Sequence, residues 1–190
     1  MIRAASVLLT ALLLSACAGP APDSSRPTAW LKPGVKVTLP SPGIEPAFQQ
    51  QQLLTGQVKG RSQSLLVLLS ADKQQIDLAG LSSVGIRLFS LRYDASGIHT
   101  EQLMPLPQMP PASQVLADIM LSYWPVARWQ AVLPAGWTLQ DQGLKRKLID
   151  ADNHLVTEID YLQRGHQRQP ISIRQHAFGY QIHIQQLDVS

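Results

Sequence analysis

A regular succession of short strand-like stretches and turn sequences runs from Gln49 toward the C-terminus. Turn sequences such as Asp94-Ala95-Ser96-Gly97 and Gln142-Gly143 separate the stretches. This arrangement is typical of an antiparallel meander that closes toward a barrel or a curved sheet. The predicted strands are 53–58, 64–69, 75–79, 84–93, 98–104, 137–141, 145–149, 154–163, 171–177 and 180–187.

Alternation along these strands separates an apolar face from a polar one. If Phe178-Gly179 forms a two-residue turn, Ile173 lies opposite Ile184 on the apolar face of the last hairpin. The strand 64–69 differs because its apolar residues are consecutive and therefore occupy both faces. We expect this strand to be covered on both sides.

One segment between the strands has the pattern of a helix. Ser113 is a plausible N-cap, and Pro125 ends the segment at Trp124. A second short helix is predicted over 126–133, with Trp129 on its apolar side. In the first helix the residues at spacing four make one broad apolar stripe; they are Val115, Ile119 and Tyr123 in one row, and Leu116, Met120 and Trp124 in the other.

These patterns predict a mainly β fold, in which a curved antiparallel sheet or unclosed β-barrel is plugged by helices. If the helix stripe faces the concave side of the sheet, an apolar cavity remains wherever side chains do not fill the space. The alternative is a core that is completely filled. The candidate cavity residues are Leu66, Leu68, Leu116, Ile119, Met120, Tyr123, Trp124, Trp129, Ile173 and Ile184.

The N-terminus has the features of a secretory signal. Arg3 precedes an apolar run over 4–14, which is too short to span a bilayer. Leu14-Ser15-Ala16-Cys17 matches the lipobox of bacterial lipoproteins, in which the chain is cut before the cysteine and the thiol receives a diacylglyceryl group. Cys17 is the only cysteine, and lipidation explains a lone cysteine in an exported protein better than chance does.

The predicted organisation is a signal peptide over 1–16, a lipidated Cys17 with a tether over 17–46, and a lipid-binding domain over 47–190. The tether region contains half of the 14 prolines, together with several small residues. Such composition favours an extended linker, although Trp30-Leu31 and Val35-Lys36-Val37 are apolar enough to dock on the domain. Ala18 after the cysteine favours the outer membrane over inner-membrane retention.

Charge and motifs argue against several functions. A net charge of +3 is too small to indicate a nucleic-acid partner. Lys145-Arg146-Lys147 is the one tight basic cluster, interpreted as a solvated strand edge or, alternatively, a phosphate or lipid-headgroup contact. We find no enzyme signature, no cofactor motif and no metal-ligand spacing. His176 and His183 are expected to share a polar face, and Asp118 to lie on the polar side of the helix.

The lipobox, the proline-rich tether and the segment Ala117-Asp118-Ile119-Met120-Leu121-Ser122-Tyr123-Trp124-Pro125 together resemble a family of bacterial lipoproteins of unknown function, domain-of-unknown-function family 3261. Arg146-Lys147-Leu148 and Glu158-Ile159-Asp160-Tyr161 add to the resemblance. The family is similar in fold to LolA and LolB, the periplasmic carrier and outer-membrane receptor for lipoproteins. Its members often accompany aryl polyene biosynthesis genes.

The resemblance implies a cavity that receives acyl chains. The expected function is that of an outer-membrane lipoprotein, facing the periplasm, which binds a lipid or lipid-linked polyene and helps to place it in the membrane. A LolA-like carrier or an inner-membrane exporter would be its partner. The segment 103–110 is a candidate for the apolar loop that LolB displays. The alternative is a structural or interaction lipoprotein with a filled core.

Overall fold

The computed structural model describes residues 26–104 and 110–187. Cys17 and the predicted signal peptide therefore lie outside the described residues, as do residues 105–109 of the candidate loop. In chain order the elements are β1 (Thr28–Lys32), β2 (Val35–Thr38), β3 (Phe48–Val58), β4 (Arg61–Ala71), β5 (Ile76–Leu81), β6 (Arg87–Asp94), β7 (Gly97–Gln102), α1 (Ala112–Tyr123), α2 (Val126–Gln130), β8 (Thr138–Gln142), β9 (Lys145–Ile149), β10 (Leu155–Arg164), β11 (Gln167–Gln175) and β12 (Tyr180–Leu187).

Ten of the strands form one antiparallel sheet in the order β7-β6-β5-β4-β3-β12-β11-β10-β9-β8. Two meanders, β3 to β7 and β8 to β12, join where β12 pairs with β3 along Tyr180–Leu187. The strands β7 and β8 remain as edges, so the sheet does not close into a barrel. The predicted mainly β fold with an unclosed, curved sheet is confirmed.

Helix α1 lies inside the curve of this sheet. It contacts both β7 and β11, which are six strand positions apart and would be separated by about 29 Å in a flat sheet. A helix of 12 residues is only about 18 Å long, so the sheet must curl to meet it. None of the residues of α1 is exposed. Neither helix within residues 26–104 and 110–187 is both long and apolar enough to cross a membrane.

The start of α1 differs from the prediction. Pro111, rather than Ser113, occupies the N-cap position, and no side chain caps the helix. The backbone N–H of Gln114 instead donates to the Pro111 carbonyl at 2.8 Å. A proline before the helix already holds φ near the value that a helix needs, so a side-chain cap is not required to start it.

The hairpin β1–β2 covers the core and corrects the predicted extent of the tether. Leu31, Val37 and Leu39 are buried, although they lie in the stretch assigned to a tether. The Tyr93 hydroxyl donates to the Pro40 carbonyl at 3.0 Å and fixes the chain that follows the hairpin. The docking expected for residues 30–31 and 35–37 holds for Leu31 and Val37, where apolar burial outweighs the preference of a proline-rich sequence for an extended chain, whereas Trp30 is 42% exposed.

The last hairpin has a longer turn than predicted. Gln175 pairs with Tyr180 and Ile173 with Ile182, so the turn contains the four residues 176–179. The expected pairing of Ile173 with Ile184 was therefore wrong by two positions. A shift of two preserves the face of every side chain, and both isoleucines still point into the core.

Strand β4 is covered on one face only, which corrects two cavity assignments. Val67 and Leu69 are buried in the core, whereas Leu68 is 43% exposed and Leu66 is half-buried on the opposite face. Leu66 and Leu68 therefore cannot line an interior cavity. Consecutive leucines suggested coverage on both sides, but on the outer face Leu66 is shielded only in part by its cross-strand neighbours Leu53 and Leu81.

Candidate ligand-binding site

The predicted cavity residues on the helices and on β11 and β12 divide into a packed group and a half-open group. Ile119 and Tyr123 are half-buried. The others are side chains of the tightly packed core rather than of an open space; they are Leu116, Met120, Trp124, Trp129, Ile173 and Ile184. The half-open group therefore marks the place where α1 can meet a ligand.

The candidate groove is the space between the half-buried row of α1 and the two central strands of the sheet. On the helix the row consists of Val115, Ile119 and Tyr123. On the sheet, Leu54 of β3 and Ile182 of β12 point to the same concave side and are also half-buried. The backbone of α1 approaches β1, β7 and β11, and its Tyr123 and Asp118 side chains bond to β3 and β12, respectively.

One end of the groove is closed by a ring contact and a polar cluster. The rings of Phe48 and Tyr123 stack with their centroids 4.8 Å apart. The Tyr123 hydroxyl donates to Gln50 Oε1 at 2.6 Å and accepts from Gln52 Nε2 at 2.8 Å. Gln186 Nε2 donates to the same Gln50 oxygen at 3.2 Å. Burial raises the pKa of Tyr123 to about 12, so its hydroxyl remains a neutral donor.

The other end of the groove contains a buried carboxyl group. The Tyr180 hydroxyl donates to Asp118 Oδ2 at 2.7 Å, and Gln114 Nε2 donates to Tyr180 at 3.5 Å. Burial raises the pKa of Asp118 to about 7, against the opposing effect of the Tyr180 hydrogen bond. Asp118 shares one side of the helix with Gln114 and Ser122, as predicted, but this polar side is buried rather than solvated.

Several buried polar atoms beside this carboxyl have no hydrogen-bond partner among the described residues. They are Asp118 Oδ1, Thr157 Oγ1 and both amide atoms of Gln175. Thr157, Gln175 and Tyr180 are register neighbours on β10, β11 and β12, so they form one polar row on the concave face. Buried polar groups are nearly always hydrogen-bonded, and a group of unmatched atoms at one place is typical of a site that a ligand or water completes.

The basic cluster on β9 has a structural role that the sequence did not reveal. Arg146 is buried and donates through Nη1 to the carbonyls of Leu121 and Trp124, both at 2.8 Å. Its Nε and Nη2 bind the two oxygens of Asp141, and this hydrogen bonding lowers the pKa of Asp141. Lys145 pairs with Asp160 at 2.6 Å. The cluster therefore caps the end of α1 and braces the sheet, and β9 is not the sheet edge.

Exposed apolar side chains gather near the β5–β6 and β7–α1 connections. Val84 is 77% exposed, and Ile86, Leu103 and Met104 are exposed beside it along the chain or the sheet. The backbone N–H groups of Leu103 and Met104 both reach the Leu88 carbonyl, which brings the two connections together. We call Val84, Ile86, Leu103 and Met104 the apolar tip.

The described residues offer one cluster with metal-ligand chemistry, formed by Asp150, Asp152 and His154. Its only buried carboxylate, Asp150, binds Lys32 Nζ at 2.7 Å and accepts two backbone N–H bonds from residues 152 and 154. These contacts, chiefly that with Lys32, lower the pKa of Asp150 to about 2. The cluster is explained as a turn that fixes the hairpin β1–β2. His176 lies in a turn and His183 on a strand, rather than on one shared face.

The sequence interpretation missed the polar side chains of the concave face. Gln50 and Gln52 point inward from β3, Gln186 of β12 pairs with Gln52, and Gln175 of β11 pairs with Tyr180 at the other end of β12. The signal was present in the run Gln49-Gln50-Gln51-Gln52, because a strand places every second residue of such a run on the buried face. Apolar periodicity alone does not detect a polar interior.

Comparison with known proteins gives a family but no activity. No curated protein matches the chain. A family model described as "Protein of unknown function (DUF3261)" matches residues 49–188, which contain every strand of the ten-stranded sheet except the first residue of β3, together with both helices. The chain therefore belongs to the DUF3261 family of proteins of unknown function.

Proposed function

We propose that this protein is an outer-membrane lipoprotein that binds a lipid or lipid-linked polyene between α1 and the central strands and assists its placement in the membrane. The lipobox at Cys17, with Ala18 after it, supports the anchor and its location. The resemblance to LolA and LolB, and the frequent proximity of family members to aryl polyene biosynthesis genes, support the class of cargo. A LolA-like carrier or an inner-membrane exporter would deliver that cargo.

The incomplete burial of apolar side chains on both sides of the candidate groove is the observation that carries this proposal. A side chain on the inner face of a covered sheet is normally buried completely, because interiors pack as densely as organic crystals. Ile119 of the helix and Leu54 and Ile182 of the sheet are instead only half-buried, although they point to the same interior. The space between them suits an apolar chain.

Binding and release in this groove require no covalent chemistry. Each CH₂ group that leaves water contributes about 0.8 kcal/mol, so a long acyl chain gains enough to remain bound during transit through water. Transfer to a membrane then proceeds downhill because the bilayer buries the entire chain. The apolar tip would lower the barrier by contacting the bilayer beside the groove.

A second function is favoured by the packed core. Leu116, Met120 and Trp129 have no exposed surface, and the indole N–H groups of Trp124 and Trp129 donate to backbone carbonyls at 3.0 Å. A protein with so complete a core can act as a structural or interaction lipoprotein in an envelope export system. In that case the groove closes by side-chain movement and takes no ligand.

Native mass spectrometry of the full chain, purified gently from its host, separates these functions. The proposal expects a lipid-sized mass on the wild type and displacement by a fluorescent fatty acid. Ile119→Trp should fill the groove and remove that mass, whereas Leu68→Trp on the outer face should retain it. The mass of the mature chain also tests whether it begins at a lipidated Cys17. If the wild type carries no lipid and binds no fluorescent fatty acid, the lipid-binding proposal fails and the interaction function remains.

A further inference from the structure

A surface depression of about 580 Å³ lies at the end of the sheet that contains Gln175 and Tyr180. Its walls are the β3–β4 turn around residues 58–61 and the β11–β12 turn around residues 176–179. Gln175 and Tyr180 line it as well, and these two residues belong to the polar row inside the groove. The depression and the groove therefore share a wall.

The walls of the depression are basic. Lys59, Arg61, Arg174 and His176 contribute to them, and the described residues that line the depression include no acidic side chain. Arg174 is held at 3.5 Å from Glu158, whereas Lys59 and Arg61 make no ion pair with the described residues. Cations that are left unneutralised on one wall attract an anion of matching size.

The floor of the depression supplies hydrogen bonds without charge. Gln175 is buried, with only 1% of its surface exposed, and its amide N–H and carbonyl groups both lack partners among the described residues. Asp118 lies one hydrogen bond behind Tyr180. Leaving such groups unmatched in the interior is costly, so their position directly beneath a basic rim points to a polar ligand rather than to packing.

The geometry continues from the depression into the groove. Tyr180 lines the depression, and Ile182 is two residues further along the same face of β12, about 7 Å away. An amphiphile with its head at the rim would therefore place its chain against Ile182, Leu54 and Ile119 without crossing a polar surface. The Asp118–Tyr180 pair would lie at the junction of head and chain.

We propose that the basic depression at the β3–β4 and β11–β12 turns binds the anionic headgroup of a single-chain amphiphile whose acyl chain occupies the groove. Lys59 and Arg61 contact the anionic oxygens, and Gln175 donates to and accepts from the polar linkage below them. This inference rests on the proposed function and adds the charge class of its ligand.

The test compares ligands that share an oleoyl chain and differ in the head. The full-length Cys17→Ala variant, which retains every residue of the depression but lacks the acylation site, is titrated with lysophosphatidylglycerol, oleate and monoolein, and with inorganic phosphate alone. We expect both anionic amphiphiles to bind about tenfold more tightly than monoolein, with a preference that weakens as salt rises. Phosphate alone should bind weakly, because it gains nothing from the groove.

Variants of Lys59 and Arg61, which form the basic rim of the depression, test whether the preference for anionic amphiphiles arises there. Lys59→Asn combined with Arg61→Gln should remove the tenfold preference and leave monoolein binding unchanged. Asn suits position 59, where φ is 47°, so this exposed turn should fold normally. Lys73→Asn, a change in an exposed loop elsewhere, is the matched control and should retain the preference.

The floor is tested by Gln175→Leu. If Gln175 were only a packing residue, the apolar substitution would stabilise the protein and leave ligand affinity unchanged. We expect higher stability together with weaker binding of all three amphiphiles.

The outcomes distinguish the inference from the proposed function. Binding of all three amphiphiles with equal affinity, or a preference that survives the rim variant, would overturn the anionic site and leave the groove intact. Tight binding of phosphate alone would also overturn the inference, because it would show an ion site that does not require an acyl chain in the groove. No binding of any amphiphile would overturn the proposed function itself.

Discussion

At the scale of single residues, the enclosed carboxyl of Asp118 is the most unusual group in the fold. The Tyr180 hydroxyl donates to its Oδ2 and the Gln114 amide also favours its charged form, whereas Oδ1 has no hydrogen-bond partner of good geometry among the described residues. A carboxyl group in the interior normally has several donors or a cation beside it. A buried carboxyl in the middle of α1 destabilises the ligand-free fold. This destabilisation can be measured as the pH dependence of the free energy of unfolding.

We predict that Asp118→Asn changes the pH dependence of folding. The folded pKa of about 7 lies above that of the unfolded chain, so the folded state retains a proton that the unfolded state releases above about pH 4. The free energy of unfolding therefore falls as the pH rises from about 4 to about 7. Relative to the Asn variant, the wild type should lose about 3 kcal/mol between pH 5 and pH 8 in urea titrations.

The exposed Asp152→Asn variant provides the control and should follow the wild-type profile. Parallel profiles of the wild type and Asp118→Asn across this pH range would show that the Asp118 carboxyl is solvated and ordinary. The assignment of Asp118 to an enclosed polar row would then be wrong.

Arg146 is predicted to be a major source of stability. Its guanidinium satisfies two carbonyl groups at the end of α1 and binds both oxygens of Asp141. Arg146→Met should lower the free energy of unfolding by about 3 kcal/mol, because it orphans those carbonyls and Asp141 together. The adjacent Lys147→Met on the opposite face should change it by less than about 0.5 kcal/mol. Equal effects of the two substitutions would contradict the capping role.

At the scale of elements, the hairpin β1–β2 changes where the folded domain begins. Leu31 is 1% exposed, whereas the neighbouring Trp30 is 42% exposed, with Lys36 Nζ 4.5 Å from its ring centroid. The hairpin lies outside the residues matched by the family model, yet it covers the core of the matched part. The domain therefore depends on residues from a stretch whose composition suggests a linker.

We predict a large difference between two adjacent substitutions in this hairpin. Leu31→Ala should lower the free energy of unfolding by about 2–4 kcal/mol through the cavity that it leaves, as measured by chemical denaturation. Trp30→Ala should cost less despite the larger side chain removed, because truncating a side chain that is 42% exposed leaves no enclosed cavity. A Leu31→Ala variant as stable as the wild type would mean that the hairpin does not contribute to the stability of the core.

Most of the elements could be predicted from local patterns, and the exceptions have physical causes. Tight turns bounded the strands Lys145–Ile149 and Tyr180–Leu187 correctly, because glycine and aspartate restrict where a chain can reverse. Strand β3 was predicted five residues short, since its first half consists of glutamines that carry no apolar alternation. Burial of Leu31 and exposure of Leu68 depend on neighbours from distant parts of the chain, which local patterns do not contain.

At the scale of the whole molecule, the architecture could be predicted and the site only in part. Antiparallel strands with an apolar helix between them have few ways to bury that helix, so the curved sheet around α1 follows from the pattern. The row of Ile119 and Tyr123 was identified, whereas Leu116, Met120 and Trp129 were assigned to a cavity although they fill the core. Both rows of the helix are apolar, and only their degree of burial in the structure distinguishes them.

The central claim is that an amphiphile lies between α1 and the strands β3 and β12, and photo-crosslinking tests it most directly. The full chain is loaded with a fatty acid that carries a diazirine near its methyl end, irradiated, digested and analysed by mass spectrometry. The account predicts labels on peptides that contain Ile119, Leu54 or Ile182, and their loss in Ile119→Trp but not in Leu68→Trp. Labels confined to the outer face around Leu68, or equal labelling of both variants, would contradict it.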